Sequence, residues 1–91
     1  MGVLLGRKPS AEVPAGAKSV KLEDPTRTIS RNHAAISFDQ DGTLWIEDYG
    51  SLNGTYIIQD DVETKVEHKP MQLEAPCTVR IGDQFFQFRK Q

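Results

Sequence analysis

Four short polar clusters stand out in this 91-residue chain, three of them with an arginine: Gly6-Arg7-Lys8, Thr26-Arg27-Thr28, Ser30-Arg31-Asn32-His33 and Gly50-Ser51-Leu52-Asn53-Gly54-Thr55. Taken singly, these read as ordinary surface and turn residues. Taken together, they are a set of hydrogen-bond donors. A guanidinium offers a planar fork, a serine hydroxyl and backbone N–H groups fill remaining positions, and an asparagine amide adds donors without charge. The ligand that suits such a set is an anion accepting several hydrogen bonds at once, above all a dianionic phosphate ester. The chain as a whole is acidic, with a formal charge of −2. The basic residues would therefore focus an anion locally and leave the rest of the surface unattractive to nucleic acid.

Other chemistries use some of the same residues. Ser30, His33 and Asp48 are the residue types of a hydrolytic triad, but no G-x-S-x-G elbow is present. On an extended segment, Ser30 and His33 would also point to opposite faces. Two histidines and the single Cys77 stand in scattered contexts without metal-ligand spacing. No enzyme activity, metal or cofactor is expected.

For separated loops to share a ligand, the elements between them must deliver the loops to one place. Helical periodicity is almost absent. Short β-like runs with turn residues between them cover the chain: Gly2 to Leu5, Ser19 to Leu22, His33 to Phe38, Thr43 to Glu47, Thr55 to Ile58, a short strand around Lys65 to Glu67, Met71 to Glu74, Thr78 to Ile81, and Gln84 to Arg89. Residues Pro9 to Gly16 read as a loop, and Asp41-Gly42 marks a hairpin. The stretch "QDDVETKVEHKP" reads as a long, charged, irregular surface loop around its short strand. This is the pattern of an all-β sandwich or barrel, and in a sandwich the loops gather at two ends. Phe86 and Phe88 alternate with Phe85 and Gln87, so one pair is expected to face the core, whereas Trp45 could face either way.

The length points to one domain spanning residues 1–91, a soluble domain expected to be an excised or C-terminal piece of a larger protein. A lone cysteine permits no intramolecular disulfide, which favours a reducing, cytoplasmic setting. No apolar run approaches the ~20 residues of a membrane span.

Three ordered motifs give the clusters a family. "LLGRKP", then "SRNHA", then "DYGSLNGTYI" resemble the forkhead-associated (FHA) domain in order and spacing, and "VRIGDQFFQF" is similar to its closing strands. The resemblance covers nearly the whole chain. It implies an eleven-strand sandwich of two twisted antiparallel sheets that binds phosphothreonine peptides through loops at one end, in Ser/Thr kinase signalling. The variant of the third motif is of bacterial type.

Carried over by motif position, Arg7 would reach a phosphate oxygen and Ser30 would donate its hydroxyl. Arg31 would add a contact or support the loop, and Asn53 would bond the peptide main chain. Leu52 stands where relatives often have threonine, so only its backbone N–H would contribute. His33 would brace the loops, Gly6 would allow their close approach, and Gly54 would supply a positive φ. The lead-in Gly50-Ser51-Leu52 is expected to lift Asn53 out of a hairpin toward the ligand. Arg27, Ser51 and residues 60–69 are expected to bear on specificity. Only five residues precede Gly6, so the family's first two strands are expected to be missing or replaced. That would leave the closing strand with an open edge and favour a dimer or strand-swapped assembly. The rival reading is a phosphate-independent scaffold working through a sheet face or edge.

Overall fold

The computed structural model of the chain describes residues 2–10 and 17–89, so the expected loop from Pro9 to Gly16 lies mostly outside the described residues. The described residues form nine strands: β1 (Gly2–Gly6), β2 (Ala17–Lys21), β3 (Ala34–Phe38), β4 (Leu44–Asp48), β5 (Thr55–Gln59), β6 (Val62–Lys65), β7 (Met71–Leu73), β8 (Cys77–Ile81) and β9 (Gln84–Phe88). They form a five-stranded sheet in the order β2-β1-β3-β4-β7 and a four-stranded sheet in the order β6-β5-β8-β9. The protein is an all-β sandwich. No helix among the described residues is long and apolar enough to cross a membrane.

Period-two alternation places the core between the sheets. Along β8, Cys77, Val79 and Ile81 are buried while Thr78 and Arg80 face outward. Ile36 and Ile46 meet them from the first sheet, and Ile57 joins from β5. Phe86 and Phe88 pack against this core, and Phe85 faces water. Ile46 points inward on β4, which sends Trp45 to the outer face, where its indole N–H donates to Asp39 at 3.4 Å.

Three departures from the expected pattern matter. First, β1 and β2 pair in parallel, with Leu4 beside Ser19, so the first sheet is mixed rather than antiparallel throughout. The parallel arrangement brings both strands to their C-terminal ends together. Leu22 N–H donates to Gly6 O at 2.8 Å just where both segments turn into loops.

Second, the irregular loop expected after β5 is instead a regular hairpin. Asp60 and Asp61 have φ of +52° and +63°, positive at both central positions as a two-residue primed turn requires. The strand lies at Val62–Lys65 rather than Lys65 to Glu67. Aspartate tolerates the left-handed region without the glycine that would have announced the turn.

Third, Asn53-Gly54 does not close a hairpin, because β4 and β5 belong to different sheets. The lead-in Gly50-Ser51-Leu52 carries the chain across from one sheet to the other. Gly50 and Gly54 take the positive φ values, +72° and +85°.

Candidate functional site

Three segments meet at one end of the sandwich: the residues after β1, the connection from β2 to β3, and the crossing from β4 to β5. Arg7, Ser30, Arg31, Leu52 and Asn53 line one open cleft of about 720 Å³, bordered also by Arg27 and Thr28.

The closest approach is at Gly6. A Cβ there would sit 1.8 Å from the carbonyl oxygen of Arg31, so no other residue fits without moving backbone. Arg7 N–H and Lys8 N–H then donate to Ser30 O and Arg31 O at 3.0 and 3.3 Å, zipping the two segments together.

Beneath them lies His33, fully buried at 0% exposure. Its Nδ1 accepts the backbone N–H of Ser30 at 3.0 Å, and its Nε2 is 2.8 Å from Gly54 O. An accepting Nδ1 leaves the ring proton on Nε2, which therefore donates to that carbonyl. One side chain thus ties the β2–β3 connection to the β4–β5 crossing. Gly54, itself buried, takes a positive φ of +85° where its carbonyl accepts this bond.

Two carboxylates hold the loops from inside. Asp24, its side chain almost wholly enclosed, accepts the N–H groups of Thr28 and Ile29 at 2.8 and 3.1 Å. Arg27 N–H donates to Asp24 O at 3.2 Å, and Arg27 itself adopts a left-handed φ of +57°. Asp48 is buried and accepts from Ser51 N–H at 2.9 Å, from the Ser51 hydroxyl, and from the Thr55 hydroxyl at 2.7 Å. Burial alone would raise its pKa. The hydrogen bonds from Ser51 and Thr55, with nearby His33, outweigh burial and hold the carboxyl below its ordinary value. Neither carboxylate stood out in the sequence as a support of the site. The available signal was the Asp24-Pro25 start of a polar loop and the Asp48-x-x-Ser51 spacing of a side-chain turn.

The functional atoms are placed as follows. Arg7 Nε donates to Ile29 O at 3.3 Å and lies 4.0 Å from the Asp24 carboxylate, with its side chain 46% exposed. Its two terminal nitrogens have no protein partner among the described residues. Ser30 Oγ accepts the N–H of Leu52 at 3.0 Å, which leaves its own proton to donate. Asn53 Nδ2 donates to Thr28 O at 2.9 Å and keeps a second N–H and its carbonyl. The guanidinium groups of Arg27 and Arg31 pair with no carboxylate among the described residues. Thr28 anchors a third wall: its hydroxyl accepts Asp83 N–H at 2.8 Å, and Gly82 packs so closely that a Cβ would lie 2.6 Å from it.

The geometry departs from the expected roles of Leu52, Ser51 and residues 60–69. Leu52 lines the cleft and is 89% exposed, but its N–H is committed to Ser30 and is not free for a ligand. Ser51 does not line the cleft; its hydroxyl donates to Asp48 and accepts Gly54 N–H at 3.0 Å. Residues 60–69 do not line it either. The Ser30, His33 and Asp48 trio forms no relay: the serine hydroxyl meets Leu52, both imidazole nitrogens meet backbone, and Asp48 meets Ser51 and Thr55. Among the described residues, no three His, Cys, Asp or Glu side chains gather to hold a metal ion.

A cleft of arginines, one serine and one asparagine, at the loop end of a sandwich, defines the class of protein. The family model for the FHA domain matches residues 3–82, and the chain belongs to that family. Among solved structures it is similar to the FHA domain of the CT664 protein from Chlamydia trachomatis. That match has a TM-score of 0.73 and 28% identity, and covers 100% of this chain and 77% of that one. It is also similar to the MEK1 FHA domain in complex with a HOP1 phosphothreonine peptide, with a TM-score of 0.57 and 26% identity over 89% of this chain and 72% of that one. A structure described for its phosphothreonine-dependent FHA-domain interactions shares the fold, with a TM-score of 0.65 and 21% identity over 99% and 77% of the two chains.

Proposed function

We propose that the chain is a phosphothreonine-dependent interaction module that reads a mark written by a Ser/Thr protein kinase in the cytoplasm. The observation that carries this reading is the set of donors in one cleft that have no partner among the described residues: the terminal nitrogens of Arg7, the Arg31 guanidinium and the Ser30 hydroxyl proton. Arg7 is held through Nε, so its outer edge is presented as a fork to a phosphate. Ser30 is held as an acceptor, so its proton turns to the ligand. Asn53, held through one N–H, offers the rest of its amide to the peptide main chain. Arg27, at the cleft border, faces residues that flank the phosphothreonine and bears on specificity.

An oriented phosphothreonine peptide library, read by fluorescence anisotropy, tests this. Hydrogen bonds to ionised groups contribute ~1.5–3 kcal/mol each, so Arg7→Ala and Ser30→Ala are each expected to weaken binding about ten-fold or more. Added salt is expected to weaken it further. Binding that survives phosphatase treatment and Arg7→Ala would replace this reading with the phosphate-independent scaffold. The feature favouring that alternative is the edge strand β9, which pairs only with β8 among the described residues, with Phe85 62% exposed.

A further inference from the structure

Asn53 is followed directly by a glycine, and that pair has a reaction of its own. Asparagine is among the chemically labile residues. The carbonyl carbon of its side chain can close a small ring with the backbone nitrogen of the next residue, and glycine has no side chain to hinder the approach. The Gly54 N–H would give its proton to hydroxide or water, and the nitrogen would bond to Cγ of Asn53. The bond from Cγ to Nδ2 then breaks, and Nδ2 takes up a proton from water and leaves as ammonia. Water opens the cyclic imide, leaving at position 53 either aspartate or its isomer with a lengthened backbone.

We propose that Asn53-Gly54 is a deamidation site that the fold holds in check through the Ser51 hydroxyl, and that its conversion disables the cleft. Three observations carry this. The Gly54 N–H donates to Ser51 Oγ at 3.0 Å, while the Ser51 hydroxyl gives its own proton to Asp48. The serine oxygen therefore faces the nitrogen with lone pairs only and has no proton with which to stabilise a deprotonated amide. The Asp48 carboxylate behind it disfavours a second negative charge. Next, Gly54 is buried although Asn53 is exposed, so the nitrogen is shielded from the base that must deprotonate it. Finally, Nδ2 of Asn53 donates to Thr28 O at 2.9 Å, a bond that must break before the side chain swings toward Gly54. Conversion sets a carboxylate oxygen where a donor now meets the Thr28 carbonyl, and it adds negative charge to a cleft that Arg7, Ser30 and Arg31 line. The loss of binding rests on the function proposed above; the chemistry does not.

The test incubates the folded parent chain, the same chain unfolded in denaturant, and the variants Ser51→Ala, Ser51→Thr and Thr55→Val at one mildly alkaline pH. Peptide mapping by mass spectrometry follows residue 53, with Asn32, which precedes a histidine, as the reference in the same digests. Conversion at Asn53 is expected to be about a hundred-fold slower in the folded parent than in the unfolded chain, ten-fold for each of the two hydrogen bonds that must break. Ser51→Ala is expected to speed it about ten-fold, and Ser51→Thr, which keeps the hydroxyl, to return it to the parent rate. Thr55→Val removes a different hydroxyl from Asp48 and spares the Ser51–Gly54 bond, so it separates loss of this guard from general loosening of the fold. Equal rates in the folded and unfolded chain would overturn the inference, as would a Ser51→Ala rate equal to the parent's or matched by Thr55→Val. Asn53→Asp stands in for the product and is expected to weaken phosphopeptide binding about ten-fold or more. Binding at parent strength would overturn the proposed disabling of the cleft. A parent that binds no phosphopeptide would overturn the proposed function, while the mapping still decides the chemistry.

Discussion

The loops around the cleft and the β5–β6 hairpin invert the usual relation between regularity and constraint. The hairpin is regular: four ladder pairs, a two-residue turn, and a strand β6 whose residues are all exposed. Beyond its ladder it is held by the Arg80–Glu63 ion pair and by Arg80 lying 4.1 Å from the Tyr56 ring centroid. The cleft loops have no repeating backbone geometry, yet Asp24, His33 and Asp48 each fix two or more backbone or hydroxyl groups from beneath. Without a ladder, the backbone polar groups of the loops had to find side-chain partners, and those partners had to be buried to be dependable. A binding site needs its atoms in fixed places; here that fixity comes from buried polar side chains, not from secondary structure.

Breaking the contrast at its strongest point means Gly6→Ala. The added methyl has nowhere to go without shifting the backbone of Arg31, so the expected cost is ~3 kcal/mol or more, with loss of phosphopeptide binding. Thermal denaturation and peptide titration check both.

Asp48→Asn comes next. The amide would turn a donor toward one of the three donors the carboxylate now accepts, for an expected loss of about 2 kcal/mol. The pH dependence has a definite sign. The folded carboxyl ionises below its ordinary value of 3.8, so its contribution is complete above that value and drains away as pH falls through the lower folded value. Denaturant melts below about pH 4 are expected to show the parent losing this component and the asparagine variant lacking it from the start.

Thr28→Val sharpens the comparison, because it orphans Asp83 N–H while leaving the shape alone; about 1 kcal/mol and a modest drop in peptide affinity are expected. Smallest is Asp61→Gly in the hairpin. Relief of the left-handed φ of +63°, offset by a freer unfolded chain, gives an expected gain of about 0.5 kcal/mol and no change in binding.

The same contrast explains what could be read in the sequence. The strand runs, the sandwich and the residues that line the cleft were legible, because alternation and three spaced motifs carry them. Gly6, Arg7, Ser30, Arg31 and Asn53 are marked by the company they keep. Of the residues that hold the cleft, His33 and Gly6 were legible from their places in the motifs; Asp24, Thr28 and Asp48 were not, because bonds to backbone and hydroxyl groups leave no periodic trace. Asp60-Asp61 was missed as a turn because aspartate adopts positive φ without advertising it as glycine does. The sheet change between β4 and β5 was missed because an Asn-Gly pair looks alike whether it closes a hairpin or ends a crossing.

The imidazole of His33 has a practical consequence. Its ring proton is sealed from water and shared with the carbonyl of Gly54, beside the residues that would grip a ligand. Such a proton should trade places with solvent slowly enough to give a persistent signal in a nitrogen-15 spectrum. The molecule therefore carries an intrinsic reporter. That single resonance, followed through a titration or a mutant series, would show when the floor of the cleft shifts without any added probe group.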